Sequence, residues 1–221
     1  MTKIKAVLIS DTHSNHAGLK LPDGDLLIHA GDLTGRGQIQ AIVSVASWLD
    51  CQVHRYPMGV LVIAGNHDLS LDPGHIGYYA PAVDEIKSHS FTWLNNSGIT
   101  LPNGYKVWGS PVQPAFYDWA FNREGEKIND DWDLIPDDTD ILITHGPPKG
   151  ILDQITPPIG GHLGCIHLLR HLSRLKNLKL HVFGHIHGGY GILQKDETLF
   201  VNASVLNERY QLTNSPIVVE V

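Results

Sequence analysis

A chain of 221 residues is long enough for one sizeable core, and no Pro/Ser-rich linker, charge block or internal repeat divides it, so a single domain over residues 1–221 is expected. A formal charge of −7 argues against a broad grip on long nucleic acid, which rests on clustered Lys and Arg, but leaves a small nucleotide open. Cys51 and Cys165 are isolated and no apolar run is long enough for a membrane span or a secretory segment, so a cytoplasmic protein with no membrane partner is expected.

Ala6 to Ile9 is a short run of apolar residues that stops at Ser10 and opens into Asp11, Thr12 and His13. Asp25 to Ile28 leads in the same way to Gly31 and Asp32, and a helical pattern of three- and four-residue spacings covers about Gln38 to Leu49. Val60 to Ile63 runs into Gly65, Asn66, His67 and Asp68. The stretch from Asp72 to Pro136 is less regular and rich in aromatics. Within it Tyr105 to Gly109 is strand-like, and Pro111 to Trp119 is a candidate wall for a substrate cleft. Ile141 to Ile143 precedes Thr144, His145 and Gly146. A Gly-rich loop, Gly160 to Cys165, enters a second helical pattern over Cys165 to Lys176. Leu180 to Phe183 precedes Gly184, His185, Ile186 and His187, Gly188 to Gly191 reads as a tight turn, and strand-like runs continue at Leu199 to Asn202 and Ile217 to Val221. Such runs, bounded by Gly or polar residues, predict strands buried on both faces. They are too many for one small sheet, so two packed sheets with helices outside are expected.

All the hard ligands sit where predicted strands stop, the end at which open α/β sheets collect ligands. Asp11, His13, Asp32, Asn66, His145, His185 and His187 offer carboxylate, amide and imidazole donors and no thiolate. That mixture suits Mn, Fe, Zn or Co rather than Cu(I) or all-oxygen Mg or Ca. A dinuclear site needs about eight donor atoms with at least one shared, and Asp32 is the natural bridge: a carboxylate gives one oxygen to each ion and its charge offsets their repulsion. Among fourteen histidines any one is more often packed or solvated than a ligand, and it is the joint pattern that carries the assignment. His16, three residues after His13, either reaches a substrate phosphate or is a plain loop residue. His162 enters a helix through a Gly-rich loop where N–H groups meet anions. Arg36 and Lys149, each close behind a ligand loop, are further candidate phosphate contacts beside the simpler reading as solvated cations. Asp68 is placed to orient an imidazole, and His29 and His181 read as satisfied core residues. No P-loop and no H-x-H-x-D-H run occurs.

The order DxH, GD, GNH(D/E), H and GHxH resembles that of the calcineurin-like metallophosphoesterase superfamily, over nearly the whole chain. Local wording narrows this: SDTH at Ser10 to His13, LPDGDLLIHAGDLT at Leu21 to Thr34, HGPP at His145 to Pro148, GCIHLL at Gly164 to Leu169, HVFGHIHGGYG at His181 to Gly191 and VNAS at Val201 to Ser204. These are similar to the small metallophosphoesterase-domain subfamily that includes the brain and fetal-brain types and related class III phosphodiesterases. The resemblance implies a four-layer αββα sandwich with the metals at one edge. It also implies one metal on Asp11, His13, Asp32 and His187, and a second on Asp32, Asn66, His145 and His185. His67 is then off the metals, stabilising the phosphate or protonating the leaving oxygen. The expected function is a dinuclear phosphoesterase using two divalent ions, Mn²⁺ foremost. Its expected reaction is in-line attack of a metal-activated hydroxide on small phosphodiesters such as cyclic nucleotides. Alternatives are a phosphomonoesterase or nuclease on the same core, or a scaffold that has lost the chemistry, against which the retention of His67 and all seven ligands speaks. The sequence leaves oligomeric state unassigned.

Overall fold

The structure is a computed structural model that describes residues 3–155 and 160–221. In chain order the elements are β1 (Lys5–Ile9), β2 (Leu26–Ala30), α1 (Ile39–Asp50), β3 (Gly59–Ile63), α2 (Ala80–Lys87), β4 (Thr92–Trp93), β5 (Ser97–Thr100) and β6 (Lys106–Ser110). There follow β7 (Gln113–Pro114), β8 (Asn122–Arg123), α3 (Ile128–Trp132), β9 (Ile141–Thr144), α4 (Ile166–Leu172), β10 (Leu180–Phe183), β11 (Gly191–Lys195), β12 (Thr198–Asn202) and β13 (Ile217–Glu220).

Two sheets result. The first runs β13-β1-β2-β3-β4 and the second β11-β12-β10-β9-β6-β5, with β7 and β8 paired separately. The central strands of both are parallel, while β13, β11 and β5 add antiparallel edges. Side chains alternate across each strand, and the two faces read differently. Ala6, Leu8, Leu26, Ile28, Leu61 and Ile63 meet Val107, Ile141, Ile143, Leu180 and Val182 in the core between the sheets. Their neighbours Val7, Ile9, Leu27, Val60 and Val62 pack outward on Ile42, Val45 and Leu49 of α1 and on Ala82 and Ile86 of α2. Beyond the second sheet, Leu142 packs with Ile128, Trp132 and Leu168 of α3 and α4. Helices, sheet, sheet, helices: the four expected layers are present.

Differences from the sequence reading follow from local chemistry. The helix expected over Cys165 to Lys176 is shorter at both ends: Cys165 is its N-cap, with Sγ accepting the Leu168 N–H at 3.3 Å, and residues past Leu172 close i→i+3 turns instead of continuing it. Helix α2 lies in the stretch that looked irregular, since only Ala82 and Ile86 of its eight residues are buried.

Candidate metal centre

The parallel strands of both sheets end at one edge. Asp11 and His13 follow β1, Asp32 follows β2, Asn66 and His67 follow β3, His145 follows β9, and His185 and His187 follow β10. A parallel bridge between Ser10 and Ser204, with the Val205 N–H donating to Ser10 O at 3.0 Å, stitches the end of β1 to the residues just past β12. Turning the chain this sharply puts Asp11 (φ 55°), His13 (φ 40°), Asp32 (φ 55°) and His185 (φ 66°) in the left-handed region. Each such residue costs about 1–3 kcal/mol and persists only where surroundings dictate it. Here they do: Asp11 N–H donates to Gly31 O at 2.9 Å, His13 N–H to Asp32 O at 3.0 Å, and His185 N–H to the Asp11 carboxylate at 3.0 Å. Gly184 is required because a Cβ there would overlap the Asp11 carboxylate and Ser10 Oγ.

Asp32 points one oxygen at each half of the cluster. Its Oδ2 lies 3.4 Å from His13 Nε2 and its Oδ1 lies 3.4 Å from His145 Nε2, while His187 Nε2 lies 3.4 Å from Asp11 Oδ1. That spacing is longer than a good N–H···O bond of about 2.7–3.2 Å. It matches two ligands each about 2.1 Å from a tetrahedral ion, which stand about 3.4 Å apart. Asn66 Oδ1 sits 2.9 Å from His145 Nε2 and 2.8 Å from His185 Nδ1. Carbonyls fix the rings: His145 Nδ1–H donates to Ala30 O at 3.0 Å and His187 Nδ1–H to Asn207 O at 2.9 Å, leaving both Nε2 atoms facing inward. Asp11 also accepts the Ser204 hydroxyl at 2.7 Å.

Both carboxylates are fully buried. Burial raises a carboxyl, but the hydrogen bond and charge of His187, with His145 and His13, hold Asp11 well below its ordinary range, and His145, His13 and His67 do the same to Asp32. The balancing charge falls on His145 and His187. Burial alone would lower them, yet Asp32 and Asp11 respectively push each up to about 9, while burial takes His185 down to about 3 and lowers His13. Two imidazoles carrying protons against two carboxylates, and a buried His13 Nε2 with no hydrogen-bond partner among the described residues, fit a hollow built for cations. Three groups of ligand atoms lie within 4.8 Å of one another: Asp11, His13 and His187; Asp11, Asp32 and His145; and His13, Asp32 and His67.

Comparison with known proteins agrees with this geometry. The sequence profile of the calcineurin-like phosphoesterases matches residues 4–189. The chain belongs to the calcineurin-like phosphoesterase family. It is 40% identical over 232 residues to human metallophosphoesterase domain-containing protein 1, covering 97% of this chain and 70% of that protein. It is 34% identical over 225 residues to UPF0046 protein K07C11.7 of Caenorhabditis elegans, covering 97% and 74%. The crystal structure of TT1561 of Thermus thermophilus shares the fold, with a TM-score of 0.59 at 14% identity and coverage of 91% of this chain and 89% of that one. Membership makes the chain a phosphoesterase of a family that uses divalent metals, and the clustered carboxylates and imidazoles are candidate ligands for them.

A cleft of about 510 Å³ opens over the cluster, lined by Asp32, Asn66, His185 and His187, by His67 and Arg36, and by Phe116, Tyr117, Trp119 and Tyr210 among others. His67 Nδ1–H donates to Gly35 O at 2.8 Å, and its ring stacks on Trp119 at 4.2 Å between centroids. Arg36 is exposed and lies 5.3 Å above the same Trp119 ring. Three expectations are corrected. His16 does not face the cleft: a 3-10 turn over His16–Gly18 buries it beneath α1, with Nε2 3.1 Å from Ser44 Oγ and the ring beside Trp48. His162 is drawn from the cleft by buried Asp153, 2.6 Å from its Nδ1, and its neighbour Leu163 lines the wall instead. Asp68 orients no imidazole; it accepts the N–H groups of Leu33, Thr34 and Gly65 and the Thr34 hydroxyl at 2.8–3.1 Å, clamping the Asp32 loop to the Asn66 loop. His29 and His181 each meet a threonine, Thr12 and Thr144, in the core. The sequence reading missed Tyr210 and Asn207, and quoted Ser204 within a motif without a role.

Proposed function

We propose that the chain is a phosphodiesterase for small phosphodiesters, cyclic nucleotides or aryl diesters, working with two divalent ions, Mn²⁺ foremost, in the cytoplasm. The observation that carries the two-ion reading is Asp32, with one oxygen toward His13 and the other toward His145. Asp11, His13, Asp32 and His187 would hold one ion, and Asp32, Asn66, His145 and His185 the other. When bound, the ions supply positive charge to the phosphoryl oxygens and lower the pKa of water.

The remaining work falls to the chain's own residues. Because Gly35 O takes the Nδ1 proton of His67, its Nε2 is the nitrogen left to hold a proton for the leaving oxygen, and stacking on Trp119 fixes the ring's plane. Among the described residues Arg36 is the one Lys or Arg lining the cleft. A single guanidinium suits a diester with one negative charge, whereas a dianionic monoester calls for a bidentate clamp. Phe116, Tyr117 and Trp119 offer an apolar wall for the second ester group. The two cysteines are free, in keeping with a reducing compartment. Turnover of bis(p-nitrophenyl) phosphate against p-nitrophenyl phosphate by Mn²⁺-loaded protein tests the reading. A higher kcat/KM for the diester is expected, and a monoester preference across pH 6 to 9 would overturn the diesterase assignment while leaving the family intact.

A further inference from the structure

Tyr210 stands over the cluster on a turn that has no part in either sheet. Its backbone is left-handed, φ 57°, a costly conformation for an aromatic residue and one that points toward function when observed. The turn is tightly specified: Tyr210 N–H donates to Asn207 O at 2.8 Å, Asn207 N–H to Gln211 O at 2.9 Å, and Asn207 Oδ1 accepts the N–H groups of Arg209 at 2.9 Å and Gln211 at 3.0 Å. The same Asn207 carbonyl takes the Nδ1 proton of His187. One residue therefore fixes both a candidate metal ligand and the tyrosine above it. The ring lies 4.9 Å from His13, 5.2 Å from His187 and 6.2 Å from His67, centroid to centroid, and lines the cleft. Its hydroxyl has no hydrogen-bond partner among the described residues.

We propose that Tyr210 contacts the substrate, its hydroxyl donating a hydrogen bond to a phosphoryl oxygen of the bound ester. The position suits that oxygen, beside His13 and His187 of one ligand group and on the same cleft as His67. A neutral donor adds to the binding of an anion there without adding a cation beside the metal positions, and an O–H can be satisfied by the substrate where the protein leaves it unpaired. Had the ring served only to cover the imidazoles, phenylalanine would do as well. The inference rests on the cleft being the phosphoester site and is independent of diester or monoester preference.

Tyr210→Phe decides it, measured on Mn²⁺-loaded protein with both p-nitrophenyl substrates, alongside metal content and calorimetric binding of inorganic phosphate. Expected are unchanged metal content, a fall of about ten- to a hundredfold in kcat/KM on both substrates, and phosphate binding weakened by a similar factor. Wild-type kinetics and phosphate affinity in the variant would overturn the proposal, and so would loss of bound metal, which would make the hydroxyl a support for the ligands. The order of the two substrates in the unaltered protein tests the phosphodiesterase reading separately.

Discussion

Loading the cluster with metal should expel about two protons near neutral pH. In the metal-free protein His145 and His187 titrate at about 9, so both are almost fully protonated at pH 7, whereas His185, at about 3, has no proton to give. A metal competes with each proton for Nε2, because Nδ1 is already committed to a carbonyl. Lying two pH units below 9 costs about 2.7 kcal/mol per imidazole, at about 1.36 kcal/mol per unit. Filling both sites at pH 7 is therefore disfavoured by about 5 kcal/mol, roughly 10⁴-fold, relative to its limit above both titrations. The sign is set by the raised value: proton binding is favoured below 9, so metal affinity climbs as pH rises toward and through it. Anaerobic titration calorimetry with Mn²⁺, repeated in buffers of different ionisation enthalpy, counts the protons. The two imidazoles should give up about two protons at pH 7 and about one at pH 9, to which any metal-bound water that ionises adds its own. A count near zero at pH 7 would refute this electrostatic account of the cluster.

Asp32→Ala should remove both ions or leave one loosely held, while His145→Ala should mainly empty one position; elemental analysis showing equal loss in the two variants would contradict the bridge. His67→Ala should keep its metals and lose about 10²-fold or more in turnover, with aryl esters suffering less than alkyl esters because their leaving oxygens need less protonation. Metal loss in that variant would instead assign His67 to the ligand group it can form with His13 and Asp32. Ser204→Ala, which removes a 2.7 Å hydrogen bond from Asp11, should weaken metal affinity by about 10–100-fold in competition with a chromogenic chelator.

The strand ends were legible in the sequence because each candidate ligand follows directly on the apolar run that positions it; covalent adjacency did the work for Asp11, Asp32, Asn66, His145 and His185. The two-sheet architecture followed from strand number. What stayed hidden was what the fold brings together across the chain. Tyr210 approaches His13 from nearly two hundred residues away, out of a turn with no periodicity to mark it. His16 and His162 were misplaced for one reason: proximity in sequence says nothing of direction, and Ser44 and Asp153 capture those rings from elsewhere. Asp68, next to His67, turns the opposite way because four unpaired donors in the neighbouring loops need its oxygens more than an imidazole does.

The seam marked by Ser10 and Ser204 has a mechanical meaning. Every candidate ion would draw ligands from both sheets, Asp11, His13, Asp32 and Asn66 from one side and His145, His185 and His187 from the other, so each would act as a rivet through two plates rather than an ornament on one. Assembly of the sandwich and capture of the metals then become a single equilibrium. Cations bound only by the closed form strengthen it in proportion to the logarithm of their concentration. The edge carrying the chemistry is then the edge that chelation would unfasten first, while the far ends of the same strands, packed through Ile4, Tyr105 and Leu180, would stay shut.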